Sequence, residues 1–216
     1  MNTPSKFDIL QLFEANKLSI ERNELIMDFT EKELTEKELK EAIDDYKDAR
    51  AGIPEGWVYL GDDNERYVLG QPGQKNLLVI GVNPSTAKPE KLDPTIKKVI
   101  KISQEQGYSG WIMVNLHPQR ATDPQDITPL TDTIMKNNIE VIRYTIEKLD
   151  IKYVWYAWGN LIDIFGKKSF LHDSQKQIDD LLKEKNVQRY HYYKLTKKGN
   201  YRHPLYAPKN DKLHKI

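Results

Sequence analysis

Between Asn76 and Leu195, four largely apolar runs alternate with stretches of helical periodicity. The runs are Leu77-Leu-Val-Ile, Trp111-Ile-Met-Val, Tyr153-Val-Trp-Tyr-Ala and Tyr190–Leu195; the helical patterns fall around Thr95–Gln106, Asp132–Lys148 and Gln175–Lys185. A strand apolar on both faces must be covered on both, and strands joined by helical crossovers pair in parallel. The pattern predicts an α/β three-layer sandwich around a central, mostly parallel four-stranded sheet. Upstream, Trp57-Val-Tyr-Leu and Arg66-Tyr-Val-Leu flank Gly61-Asp-Asp-Asn-Glu, which predicts a hairpin or a pair of edge strands.

The N-terminal part reads differently. Phe7, Ile9, Leu10 and Phe13 form a short helical pattern, and Thr30-Glu-Lys-Glu opens a charged helix whose narrow apolar stripe runs through Leu34, Leu39, Ile43 and Tyr46. The expected division is an acidic helical extension over residues 1–52 and an α/β domain over 53–216. The extension packs on one side or serves as an arm for a protein partner.

Charge follows chain order. The whole chain has a formal charge of +1, but residues 1–50 carry 8 basic and 13 acidic side chains, net −5, while residues 167–216 carry 13 and 5, net +8. The balance excludes a uniformly basic nucleic-acid wrapper; the C-terminal block is the expected surface for DNA or nucleotide phosphate. No apolar run approaches the ~18 residues of a membrane span. The start MNTPSKFDILQLFEANK lacks the cationic segment and apolar block of a signal peptide, so the expected location is cytoplasmic, without membrane contact.

Cysteine is absent, which removes disulfides, thiolate nucleophiles, Cys-ligated zinc and iron–sulfur clusters together. The five histidines show no HxxxH or HExxH spacing, so no metal and no cofactor is expected.

In open parallel sheets, ligands bind beyond the carboxyl ends of the strands. Here those ends read Gly81-Val-Asn-Pro-Ser-Thr-Ala, Asn115-Leu-His-Pro-Gln-Arg, Trp158-Gly-Asn, and finally Gly199-Asn-Tyr-Arg-His-Pro-Leu-Tyr. Gly81 permits close backbone approach, Pro84 fixes a sharp exit, and Asn83 presents donors and an acceptor at the mouth. Asn83 is no strong base, but its carbonyl can orient a water for an electrophile that is already cation-like. Ser85 and Thr86 either cap a turn or bind phosphate. Asn115 either holds an amide-like ligand edge or ties loops together. His203, before Pro204, sits on a stiff extended loop. Trp158-Gly159 reads most simply as a packed aromatic followed by a turn, and Asp93-Pro-Thr95 as a helix start.

These motifs, with Arg120-Ala-Thr-Asp-Pro and His203-Pro-Leu-Tyr206, resemble the bacterial and phage domain-of-unknown-function family 1643 from roughly Arg66 to Pro208. More distantly, Gly-x-Asn-Pro after the first strand, Asn after the second, Trp-Gly after the third and a late His-Pro are similar to the uracil-DNA glycosylase superfamily. That resemblance implies that Asn83 supports the hydrolytic water, Asn115 reads the base edge and His203 stabilises the departing base. Gly81, Pro84, Ser85, Thr86, Arg120, Trp158 and Tyr206 complete the candidate ligand-binding set. Leu205 stands where the superfamily commonly has a phosphate-contacting Ser, and Ser85 where an aromatic often follows the proline.

The expected function is hydrolysis of an N-glycosidic bond in DNA or a nucleotide. The alternatives are a non-catalytic binder that keeps the nucleobase pocket, and an interaction protein working through the Thr30–Tyr46 helix.

Overall fold

A computed structural model describes residues 56–216. The extension expected over 1–52, with its two helical patterns, lies outside the described residues.

The described chain is an α/β fold with seven strands: β1 (Val58–Gly61), β2 (Arg66–Gln71), β3 (Asn76–Gly81), β4 (Gly110–Asn115), β5 (Tyr153–Tyr156), β6 (Gln188–Tyr192) and β7 (Leu213–Lys215). Its helices are α1 (Pro94–Glu105), α2 (Asp132–Lys148) and α3 (Phe170–Glu184). The strands form one sheet in the order β1-β2-β4-β3-β5-β6-β7. β3 pairs in parallel with β4 and β5, and β5 with β6; the pairs β1·β2, β2·β4 and β6·β7 are antiparallel.

The expectation of four mostly parallel strands is therefore corrected to a seven-stranded mixed sheet. β1 and β2 are the anticipated hairpin, and β2 joins the main sheet beside β4. β7 arises from a stretch read only as part of the basic C-terminal block. Its three residues are too few to show a period, and it exists because the open edge of β6 supplies partners for its backbone.

Alternation along the strands builds the layers. Leu77, Val79, Trp111 and Met113 point to the face covered by Ile96, Val99 and Ile102 of α1. Leu78, Ile80, Ile112 and Val114 point to the opposite face, under Val141, Ile142 and Ile146 of α2 and Ile178, Leu181 and Leu182 of α3. Because β3 feeds α1 on one face while its neighbours β4 and β5 feed α2 and α3 on the other, loops diverge above the end of β3. A crevice opens at such a divergence.

Candidate functional site

A cleft of about 950 Å³ lies at that point, and its lining includes Gly81, Asn83, Ser85, Thr86, His203 and Tyr206. Its volume is within the range of small-molecule sites. The structure thus gathers six of the expected residues, from two segments 117 to 125 positions apart in sequence, around one opening. Pro84, Asn115, Arg120 and Trp158 are not part of its lining.

Asn83 is fixed by its own loop and by the loop after β4. Its amide nitrogen donates to the carbonyls of Pro84 at 3.1 Å and Ala121 at 2.9 Å. Both partners accept only, so the amide orientation is determined, and Oδ1 is left without a protein donor. Ser85 and Thr86 cap no helix; the carbonyl of Ser85 instead accepts from Arg120 Nη1 at 2.6 Å.

Asn115 lies beneath the cleft. It ends β4 in register with Gly81 at the end of β3, is 1% exposed, and neither Nδ2 nor Oδ1 has a hydrogen-bond partner. A Cβ placed on Gly81 would lie 2.8 Å from Asn115 Oδ1, so the missing side chain of Gly81 is what leaves room for that amide. Asn138 Nδ2 donates to the backbone carbonyl of Asn115 at 3.0 Å, which holds the strand end while leaving the side chain unpaired. Burying an amide without partners costs about 1–3 kcal/mol, a cost the fold carries at this strand end.

His203 has the extended backbone that Pro204 demands, φ −69° and ψ 142°. Its Nδ1 accepts from the N–H of Leu205 at 3.3 Å, which puts the proton of the neutral ring on Nε2. Burial pushes the imidazole down to about 4, with Asp93 pulling weakly the other way. The ring is neutral near pH 7, a donor through Nε2. Gly159, in the left-handed region at φ +66°, brings the Trp158-Gly loop against it: a Cβ there would lie 2.8 Å from the His203 Cβ, and its N–H donates to Tyr201 at 2.8 Å.

Two other candidates serve the framework. Arg120 spends its guanidinium on the carbonyls of Asp62, Ser85 and Ala87 and on the Tyr59 hydroxyl, tying the Ser85–Ala87 loop to the hairpin. Trp158 is 2% exposed, stacked on Tyr156 at 4.5 Å and edge-on to Tyr201. Asp93 also lines the cleft, and its carboxylate caps α1 by accepting from Ile96 N–H at 2.8 Å, as its place before Pro94 predicts. Arg66, Lys197 and Arg202 line the cleft too, and sequence reasoning missed all three as site residues. For Arg66 the signal was a cation heading an otherwise apolar strand.

Among the described residues, no group of His and carboxylates is arranged to hold a metal ion, and no helix is long and apolar enough to cross a membrane. No curated protein and no solved structure matches the chain. The motifs at the strand ends do have a match: over residues 66–205 the chain fits the family described as Protein of unknown function (DUF1643), and it belongs to that family.

Proposed function

We propose that this chain hydrolyses the N-glycosidic bond between a nucleobase and its sugar, in a nucleotide or in DNA. The observation that carries the reading is the unpartnered amide of Asn115, buried against Gly81, which lines a cleft whose walls include Asn83 and neutral His203. A carboxamide offers a donor and an acceptor side by side, the complement of a pyrimidine or purine edge. Cleavage passes through an oxocarbenium-like state and gains most from stabilising the departing base. His203 Nε2–H donates to the base oxygen as the C–N bond breaks and its electron pair moves onto the base. Asn83 Oδ1 accepts from a water, whose oxygen bonds to C1′; the proton released goes to solvent or to the departed base. No strong base is required. The resemblance to the uracil-DNA glycosylase superfamily supports the same assignment of roles.

The test is base release from a panel of modified-base oligonucleotides and free nucleotides by wild type, Asn83→Ala and His203→Ala. Equal activity in all three, or none in wild type, overturns the proposal. One observation favours a second reading, a binder without turnover. Asp93 is the one carboxylate lining the cleft among the described residues, and it is committed to capping α1. Saturable binding without product would establish that reading.

A further inference from the structure

Arg66 heads β2, is 2% exposed and lines the cleft. A guanidinium carries five N–H donors. Here Nη1 donates to the carbonyl of Ala87 at 3.1 Å, while Nε is buried with no partner at all. Among the described residues no carboxylate lies within ion-pair distance of it. Its nearest charged neighbours act in opposite senses, Arg120 repelling and Asp93 attracting, and burial dominates both by drawing the guanidinium down to about 10. Arg120 is fully engaged with backbone carbonyls and Tyr59, and Asp93 with the start of α1, so neither satisfies Arg66.

A buried cation without a counter-ion is costly, and chains retain one where something charged arrives. The remaining walls agree in sign: Lys197 and Arg202 line the same cleft, giving three cations to one carboxylate. Arginine's planar fork matches the geometry of a phosphoryl group. Its 2% exposure sets the size of what reaches it: a group must enter the cleft, which a duplex backbone running across the surface does not do.

We propose that Arg66 recognises the phosphate of a ligand held inside the cleft. Taken with the base-edge role of Asn115, on which this part rests, the substrate class is a nucleoside phosphate rather than duplex DNA. Asn115 addresses the base and Arg66 the phosphate.

The experiment is calorimetric titration of the full chain with the four 2′-deoxynucleoside 5′-monophosphates, the matching nucleosides, inorganic phosphate and a duplex oligonucleotide. Wild type, Arg66→Met and Arg66→Lys are compared, and each variant is also melted without ligand. At least one monophosphate is expected to bind ten-fold or more tightly than its nucleoside. Arg66→Met erases that difference, about 1.4 kcal/mol, while melting at or above the wild-type temperature. Arg66→Lys retains part of the discrimination. Equal binding of nucleoside and monophosphate, no saturable binding of any phosphate, discrimination that survives in Arg66→Met, or preference for the duplex overturns the inference. So does a marked loss of stability in Arg66→Met, because Arg66 is then a brace for the Ala87 loop. Base release without phosphate discrimination overturns this inference and leaves the hydrolytic reading; discrimination without base release does the reverse.

Discussion

Gly159 and His203 pack so closely that a Cβ on the glycine would stand 2.8 Å from the Cβ of the histidine. The contact joins the loop after β5 to the loop carrying the cleft histidine, and it explains why Gly follows Trp158. Gly159 also has φ +66°, where any side chain is strained. Gly159→Ala is expected to destabilise the chain by about 1–3 kcal/mol and displace His203. Chemical denaturation measures the first effect. The second appears as lost ligand binding at temperatures where the variant is still folded.

Asn115→Ala should separate stability from function. The deleted amide has no hydrogen-bond partner, so its loss relieves a desolvation cost while leaving a small void. Stability is expected to stay within about 1 kcal/mol of wild type. Ligand binding should fall at least about ten-fold, in line with an unpaired base edge. A large drop in melting temperature with binding intact would assign Asn115 to the framework.

Gly81→Ala reaches the same amide from above. The new methyl would meet Met113 Cε at 2.6 Å and Asn115 Oδ1 at 2.8 Å. The methionine end can swing aside; the amide, buried and in the strand register, has less room. The expected result is a folded protein with weakened binding, measured by the same titration, and no rescue by lengthening the ligand.

His203 predicts a pH response of definite sign. Its unfolded imidazole titrates near 6.5 and its folded one near 4. Between these values the unfolded chain holds the extra proton, so stability is present above pH 6.5 and lost as pH falls toward 4. The upper bound is about 3 kcal/mol, reduced by the ring's partial exposure. Burial depresses His117 and His191 as well, so their loss falls in the same acidic direction. Denaturation curves from pH 7 to 4 should therefore be less steep in His203→Ala than in wild type, without becoming flat. A slope unchanged by the substitution would show that the ring is not held neutral by the fold.

Arg120→Ala is expected to cost about 2–4 kcal/mol, because it leaves the carbonyls of Asp62 and Ser85 without their charged donor and the Ala87 carbonyl with Arg66 alone. Thermal melting measures this. Arg120→Lys should recover little, since one ammonium cannot span partners spread around a planar fork.

The amino-acid sequence by itself determined where the buried strands and their covering helices lie. Four apolar runs and three amphipathic stretches are statements about local burial, and local burial is what periodicity reports. Asp93 before Pro94 and His203 before Pro204 were equally legible, because capping and the stiffness before proline act within a few residues. The tertiary structure decided what depends on partners far away in the chain. It widened the sheet with β2 and β7, whose edges are set by neighbouring strands. It consumed Arg120 and buried Trp158, two residues whose types suit a ligand site equally well. It left Asn115 and Arg66 buried and unsatisfied, and satisfaction is a property of the surroundings that no single position encodes. The charge asymmetry along the chain gained its meaning the same way: two cations of the basic C-terminal block, Lys197 and Arg202, line the cleft together with Arg66, which is more than 130 positions away in sequence.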